Sequence, residues 1–187
     1  MLFRSSTLAC SRTSMTENSR PLKDRVALVT GASRGIGAAV SVRLAELGAH
    51  LILVARTKAG LEEVDDKIRS IGGTATLTPL DLSQGVKIDQ LGSALFERYK
   101  KLDILIGNAG LLGTLGPINH IDPKVWQQTM DVNLTANWWL IRSLDPLLRQ
   151  SSSGRAVFIT STAGHRSRAY WGVYEIRRRH TSELQSQ

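Results

Sequence analysis

The sequence predicts an α/β protein in which helices cover both faces of one parallel sheet. Short apolar runs of strand length alternate with stretches of helical periodicity, and a glycine-rich loop joins the first run to the first helical stretch. The apolar runs are continuous, which is typical of strands buried on both faces. With right-handed crossovers and a reversal after the third strand, these units predict a doubly wound sheet in the order 3-2-1-4-5.

The individual elements follow from the same patterns. Strands are predicted over Arg25–Thr30, His50–Ala55, Thr74–Leu80, Leu102–Ile106 and Arg155–Thr160. Helices are predicted over Gly35–Leu47, Leu61–Ile71, Ile88–Tyr99 and Val125–Leu148, the last with a break near Asp131–Asn133 left open. In the first helix, one apolar face is formed by Ile36, Val40, Leu44 and Leu47.

Length and composition fit one globular domain with a proper core. The chain has 187 residues, of which 42% are hydrophobic and 21% are charged. No apolar run approaches the roughly 20 residues of a membrane helix. The single cysteine, Cys10, excludes an internal disulfide, and no Cys/His cluster has the spacing of metal ligands, so we expect no metal site.

The net charge of +8 raises the question of nucleic-acid binding. The excess is scattered: residues 1–20 carry +2, residues 175–187 carry +1, and the remaining +5 is spread over the body. No basic stripe interleaved with aromatic residues is present, so we expect no nucleic-acid partner. A salt-dependent affinity for nucleic acid would be needed to revive that alternative.

The two ends differ from the alternating body, which spans residues 22–174. Residues 1–21 are rich in Ser, Thr and Arg, and we expect a disordered leader or a start assigned too early, since Met15 begins a run that leads into the first strand. We expect a cytoplasmic protein, with the mitochondrial matrix as the alternative if this segment is a transit peptide. Residues 175–187 have no apolar stripe and are expected to be a disordered, divergent tail.

The glycine-rich loop is the first motif that carries chemistry. Its sequence is Thr30-Gly31-Ala32-Ser33-Arg34-Gly35-Ile36-Gly37. Glycines let the backbone turn sharply and approach a pyrophosphate, and a helix N-terminus offers N–H groups to the anion. The loop therefore predicts a dinucleotide site, with a purely structural glycine turn as the alternative.

Together with four later segments, this loop resembles the short-chain dehydrogenase/reductase family. The fingerprint Thr-Gly-x-x-x-Gly-Ile-Gly is followed in the family's order by Asp81-Leu82, Asn108-Ala109-Gly110, Asp131-Val132-Asn133-Leu134 and Ile159-Thr160-Ser161. Gly107 replaces the first Asn of the family's Asn-Asn-Ala-Gly, and Tyr174 lies 13 residues after Ser161, the usual family separation. The resemblance covers residues 22–174 and implies a Rossmann domain that binds NAD(P).

The resemblance also implies a role for each matching residue. Tyr174 would donate a proton to the forming alkoxide, Ser161 would hydrogen-bond the substrate oxygen, and Asn133 would hold a water in a proton relay. Because a phenol has a pKa near about 10, positive charge nearby must lower it. The cofactor would be bound by Gly31, Ser33, Arg34, Gly35, Ile36, Gly37, Asp81, Leu82, Asn108, Ala109 and Gly110.

Charge after the second predicted strand indicates which cofactor is used. Enzymes that use NAD place an acid there to bind the ribose 2′-hydroxyl, but here the strand is followed by Arg56. Arg34 in the glycine loop supplies a second cation. Two arginines favour a 2′-phosphate, so NADP is the expected cofactor, with NAD possible and a solvated Arg56 as the alternative.

Two departures from the family pattern concern the end of the chain. The family has Tyr-x-x-x-Lys, whereas Arg178 stands at the Lys position, and a guanidinium stays protonated, which prevents it from relaying a proton. The family's last strands and substrate-binding loop are absent, so we expect an incomplete oligomer interface and uncovered apolar surface. A frameshift, an alternative splice or an error in the gene model would explain the change of character after Tyr174.

The expected function is hydride transfer between NADP(H) and a small carbonyl or alcohol substrate. The alternative is a catalytically inactive dinucleotide-binding fragment, because the phosphate loop is intact while the catalytic end departs from the family. Turnover of a panel of carbonyl compounds separates the two. The substrate itself is not fixed by these residues, although 3-oxoacyl-carrier-protein reductases are one group within the family.

Overall fold

Five parallel strands form one sheet in the order β3-β2-β1-β4-β5, which confirms the predicted class and topology. The structure is a computed structural model that describes residues 20–161 and 169–174. The strands are β1 (Val26–Thr30), β2 (His50–Ala55), β3 (Thr74–Pro79), β4 (Ile104–Gly107) and β5 (Arg155–Phe158).

Helices connect the strands and cover both faces of the sheet. They are α1 (Gly35–Glu46), α2 (Lys58–Ser70), α3 (Gly85–Tyr99), α4 (Pro123–Met130) and α5 (Ala136–Arg149). The possible break in the long helical stretch takes the form of a π-helical segment at Asp131–Thr135, which lies between α4 and α5. A short 3-10 turn at Ile118–His120 precedes α4.

The central strands divide the core into two layers. Alternate residues of β1 contribute to opposite layers, because successive side chains of a strand point to opposite faces. Leu28 belongs to the layer that includes α3 and α5, whereas Val29 belongs to the layer that includes α1 and α2. Every residue of β1 is buried, which explains why its sequence is continuously apolar.

Two strand boundaries differ from the predictions by two residues, and three others differ by one residue. Leu102 was assigned to the fourth strand, but its N–H donates to Leu147 O at the end of α5, so β4 begins only at Ile104. The fifth strand ends at Phe158 and not at Thr160. Most of β5 is exposed, and Val157 retains 47% exposure.

The predicted apolar face of α1 is not its most buried one. Ile36 is 59% exposed, whereas Gly37, Ser41 and Ala45 are buried. These three residues recur every four positions, so they share one face of the helix. Their small side chains let α1 lie close to the sheet. The prediction of the buried face was based on large apolar residues only, so it did not include these three.

Asp103 fixes the amino ends of β1 and β4. Its fully buried carboxylate accepts hydrogen bonds from the Val26 N–H at 2.9 Å, from Arg25 at 2.7 Å and from Ser151 at 2.6 Å. Burial tends to raise the pKa of Asp103, but these hydrogen bonds and the Lys101 charge outweigh it and lower the pKa from 3.8 to about 2. Asp103 lies at the amino ends of the strands, whereas the glycine loop lies at their carboxyl ends.

Among the described helices, none combines the length and the apolar character needed to cross a bilayer.

Candidate functional site

The glycine loop after β1 is shaped by close backbone contacts. A Cβ on Gly37 would stand 2.3 Å from Gly31 O and 2.5 Å from Asn108 Nδ2, so only glycine fits there. Gly35 differs, because it has φ of +57° and no atom within 4 Å of the place that a Cβ would take. Gly37 thus packs against the backbone of the glycine loop and against Asn108. Gly35 has open space beside it instead.

Thr30 and Asn108 join the glycine loop to the end of β4. The Thr30 hydroxyl accepts from the Asn108 N–H at 2.9 Å and from the Ala109 N–H at 3.1 Å, and it donates to Ile106 O at 3.3 Å. The Asn108 side-chain amide donates to Thr30 O at 2.9 Å and to Gly31 O at 3.3 Å. This network positions the loop, so Asn108 acts on the site through the backbone that it holds.

A cavity of about 430 Å³ opens at the carboxyl ends of the strands. It brings together all of the sequence-predicted cofactor residues except Gly37: Gly31, Ser33, Arg34, Gly35, Ile36, Arg56, Asp81, Leu82, Asn108, Ala109 and Gly110. Ligands of doubly wound sheets bind in the crevice outside these strand ends, at the point where the strand order reverses. The cavity lies beside β1 and β4, where that reversal occurs.

The charged residues of the cavity come from three different strand ends. Arg34 is the N-cap of α1 and Arg56 follows β2, and both are exposed on the cavity lining. Asp81 follows β3, and its Oδ1 accepts hydrogen bonds from the Ser83 N–H at 3.0 Å and from the Ser83 hydroxyl at 2.9 Å. Two cations therefore face the cavity, while one oxygen of its acid is committed to a turn.

Asn133 lies in the π-helical segment and is fully buried. Its Oδ1 accepts from the Leu111 N–H at 2.6 Å, and its Nδ2 donates to Leu111 O at 2.6 Å. Its main-chain oxygen accepts from Asn137 Nδ2 at 2.9 Å. Asn133 therefore anchors the loop after β4 through both polar backbone groups of Leu111.

The other predicted catalytic residues are placed in part. Ser161 is half-buried three residues after β5, and Tyr174 is half-buried in the helical segment 172–174. The ring centroids of Tyr174 and Trp171 are 5.8 Å apart, and the two rings are arranged edge to face. Arg178 lies outside the described residues.

Gly107, the departure from the family's Asn-Asn-Ala-Gly, has a structural cause. A Cβ at Gly107 would stand 2.2 Å from the ring of Phe158, which is paired with it across β4 and β5. Phe158 is buried in the layer that includes α3 and α5. The aromatic ring therefore occupies the space that an asparagine side chain would need.

Sequence reasoning missed several cavity residues that lack a motif of their own. Ala55 and Thr57 flank Arg56, Leu80 precedes Asp81, Leu111 follows Gly110, and Val132 precedes Asn133. Their position next to a motif residue at the end of a strand is the sequence feature that could have identified them. No group of acidic, His or Cys side chains in the described ranges could hold a metal ion.

Comparison with known proteins identifies relatives of this chain. It is 38% identical over 156 residues to the uncharacterized oxidoreductase YciK of Escherichia coli K12, a match that covers 82% of this chain and 62% of that protein. A Shigella flexneri protein assigned as a short chain dehydrogenase, solved in complex with NADP, superposes with a TM-score of 0.84 at 36% identity, covering 89% of this chain and 71% of that one. A metagenomic short-chain oxidoreductase in complex with NADP superposes with a TM-score of 0.85 at 33% identity, covering 88% and 75%.

The sequence profile of the short chain dehydrogenase family matches residues 25–175. The chain spans slightly less than two thirds of the length of the E. coli relative. The profile match includes all five strands and the whole lining of the cavity. The chain belongs to the short-chain dehydrogenase/reductase family of oxidoreductases.

Proposed function

We propose that this chain binds NADP(H) in the cavity and transfers a hydride between it and a small carbonyl or alcohol substrate. The observation that carries the proposal is the cavity itself. It lies at the carboxyl ends of the strands, its lining includes the glycine loop, and Arg34 and Arg56 both contribute to it. The NADP complexes of two structural relatives support the same assignment.

The residues present fit a dinucleotide. The N-terminus of α1 has no side-chain cap hydrogen bond and no acid in its first turn, so its N–H groups and dipole favour an anion. Gly35 stands at this N-terminus with open space beside it. A pyrophosphate can thus approach the backbone closely, which a side chain at Gly35 would prevent.

The preference for NADP over NAD rests on charge. Arg34 and Arg56 present guanidinium groups, which match phosphate geometry through paired N–H donors. The two residues directly after β2, Arg56 and Thr57, include no acid that would bind a ribose 2′-hydroxyl and repel a 2′-phosphate. We therefore assign the 2′-phosphate to the side of the cavity that holds these arginines.

The bound cofactor would supply the hydride, and the chain's own residues would handle the substrate oxygen and its proton. Tyr174 donates the proton to the forming alkoxide, and Ser161 hydrogen-bonds the same oxygen. Asn133 holds the loop after β4 through Leu111, and we assign to it the water of the proton relay. These roles follow from the positions that match the family.

The second candidate is a dinucleotide-binding chain without turnover. The observation that favours it is Arg178 at the position of the family's lysine. Arginine is bulkier than lysine and does not release its proton, so it is a poor partner for lowering the pKa of a phenol or for passing a proton on. Cofactor binding does not depend on this residue, so it would persist in such a chain.

Oxidation of NADPH in the presence of a panel of ketones and diketones tests the two candidates. The first predicts turnover that Tyr174→Phe reduces by roughly a hundredfold or more, the range of general acid catalysis. Val86→Ala is the control, because Val86 is 68% exposed on α3 and lies outside the cavity. Binding of NADPH with no turnover of any compound would select the second candidate.

A further inference from the structure

The first turn of α2 packs against the glycine loop at Gly60. Gly60 is half-buried, and a Cβ placed on it would stand 2.9 Å from Ser33 Cβ and 3.7 Å from Ser33 O. Carbon atoms that are not bonded normally stand about 3.5–4.0 Å apart. The helix and the loop therefore approach each other more closely at this point than a side chain at position 60 would allow.

The two arginines of the cavity belong to the two segments that meet at this contact. Arg34 follows Ser33 directly in the glycine loop, and Arg56 precedes Thr57, the N-cap of α2. Both arginines line the cavity. A shift of the first turn of α2 away from the loop would therefore change the spacing of the backbone segments that carry the two guanidinium groups.

Both segments are also tied to the sheet. The Ala32 N–H of the glycine loop donates to Val54 O of β2 at 3.2 Å. Leu61, which follows Gly60, is fully buried in the layer that includes α1 and α2. Because α2 cannot move away without exposing Leu61, a Cβ at Gly60 would displace the loop or the short segment between β2 and α2.

The charges of the two arginines are not committed to acids. Among the residues that the structure describes, neither Arg34 nor Arg56 forms an ion pair. The first acid after β2 is Glu62, and its Oε1 lies 3.2 Å from Lys58 Nζ within α2. An anion in the cavity can therefore use both guanidinium groups, and their spacing decides how well they fit it.

We propose that the contact between Gly60 and Ser33 sets the spacing of Arg34 and Arg56 and so determines the preference for NADPH over NADH. This inference rests on the proposed function, because it assigns a positioning residue for the 2′-phosphate of the same cofactor. Gly60 has no side chain that could reach the cofactor, so it acts through the two segments.

The geometry of charge-assisted hydrogen bonds explains why a small shift matters. A phosphate that accepts from two guanidinium groups needs both sets of N–H donors at about 2.7–2.9 Å at the same time. Movement of one segment by several tenths of an ångström would lengthen one of these sets. NADH lacks the 2′-phosphate, so its affinity does not depend on the spacing.

Gly60→Ala tests the inference through binding, without requiring turnover. NADPH and NADH are titrated into the parent chain and the variant at one fixed salt concentration, and cofactor fluorescence is measured. We expect the ratio of the two affinities to fall by about fivefold or more, a difference of about 1 kcal/mol. An unchanged ratio, or an equal weakening of both cofactors, would overturn the inference.

A second substitution at Ser33 shows whether the effect passes through this contact. Ser33→Gly removes the Cβ that the new methyl group of Gly60→Ala would meet. In the Ser33→Gly background, we expect Gly60→Ala to change the affinity ratio by less than about twofold, because residues in contact are energetically coupled. The same fivefold change in both backgrounds would contradict a role for the contact.

Gly73→Ala is the matched control for a steric change that lies far from the cavity. Gly73 follows the other end of α2, and a Cβ there would stand 2.8 Å from Ile68 Cγ2 and 3.1 Å from Ala45 Cβ. Urea unfolding should show that this control is destabilised, but its affinity ratio should equal that of the parent. A fall in the ratio as large as that of Gly60→Ala would show that lost stability is the cause, and would overturn the inference.

Titration of the parent chain separates this inference from the proposed function. Failure of the parent to bind either dinucleotide would contradict the proposed function, and equal affinities would contradict the assignment of NADP together with the inference. A parent that prefers NADPH, beside a Gly60→Ala variant with the same preference, would contradict only the inference. Alanine favours a helix more than glycine does, so we expect the variant to fold.

Discussion

Thr30 and Asn108 hold each other in a reciprocal pair across the ends of β1 and β4. The Asn108 side-chain amide donates to Thr30 O at 2.9 Å, and the Thr30 hydroxyl accepts from the Asn108 N–H at 2.9 Å. The same amide donates to Gly31 O. A polar side chain at the site thus fixes the loop that the cofactor would contact.

Replacing Asn108 with aspartate should therefore damage both the fold and the site. Asn108→Asp removes two donated hydrogen bonds and turns a carboxylate toward two carbonyl oxygens. We expect a loss of about 1–3 kcal/mol in the free energy of unfolding and a weaker NADPH complex. Urea unfolding measures the first and fluorescence titration the second.

Ser93→Ala is the control for this substitution. Ser93 lies on the exposed side of α3, where its hydroxyl donates to Asp89 O. Its loss should cost less than about 0.5 kcal/mol. A similarly small effect for Asn108→Asp would show that the pair does not hold the loop.

The buried carboxylate of Asp103 predicts how stability depends on pH. Its pKa is lowered from 3.8 to about 2 in the folded chain, so the charged form stabilises the fold above the unfolded pKa. That contribution, about 2 kcal/mol, should be lost as the pH falls from about 5 to 2. In Asp103→Asn, the free energy of unfolding should be lower at neutral pH and should change less over this range.

Chemical unfolding at a series of pH values measures the Asp103 effect. Asp66→Asn is the matched control, since Asp66 is exposed on α2. The parent and Asp103→Asn curves should converge at low pH, while the control should follow the parent. Parallel curves for the parent and Asp103→Asn would contradict the prediction.

Gly35 and Gly37 should respond differently to the same substitution. Gly37→Ala places a Cβ within 2.3 Å of Gly31 O, so it should destabilise the fold by several kcal/mol. Gly35→Ala meets no protein atom within 4 Å, and its cost should be the roughly 1 kcal/mol of a positive φ. Its Cβ enters the cavity, however, so NADPH affinity should fall sharply.

Thermal unfolding and NADPH titration distinguish the two glycine variants. A Gly35→Ala protein that is nearly as stable as the parent but binds NADPH poorly would support a cofactor that lies against the backbone there. Undiminished NADPH affinity in Gly35→Ala would show that the cofactor is bound elsewhere.

Arg178→Lys should raise the rate of NADPH oxidation if the proposed chemistry holds. Lysine restores the family's Tyr-x-x-x-Lys pattern with a group that can release a proton. We expect kcat to rise by about tenfold or more, equivalent to about 1.4 kcal/mol of barrier. Arg179→Lys is the neighbouring control, and an equal rise in both variants would contradict a specific role for position 178.

The strands of the sheet could be predicted because each one follows from the local sequence pattern. β2 is a continuous apolar run because both of its faces are buried, and its predicted and observed bounds coincide. The break near Asp131–Asn133 was left open by periodicity, and the structure shows its form, a π-helical segment that buries Asn133. Strand order followed from the alternation of strands and helices with right-handed crossovers.

What the sequence did not predict depends on contacts between distant residues. The close face of α1 uses Gly37, Ser41 and Ala45, whose small size matters only beside the sheet. The reciprocal pairing of Asn133 with Leu111 joins the π-helical segment to the loop after β4, 22 residues away, and the periodicity of the sequence does not reveal it. The sequence shows only that Gly107 departs from the family motif. The contact with the ring of Phe158, which explains the departure, is visible only in the structure.

The central claim is that the cavity binds NADPH and distinguishes it from NADH through Arg34 and Arg56. Both cofactors should be titrated into the parent chain, Arg56→Asp and the control Arg155→Asp at one fixed salt concentration, because salt screens exposed charges. Arg155 is exposed at the opposite end of the parallel sheet, where β5 begins. The claim predicts that the parent and the control bind NADPH about tenfold or more tightly than NADH, and that Arg56→Asp abolishes or reverses this preference. Equal affinities of the parent chain for NADPH and NADH would contradict it.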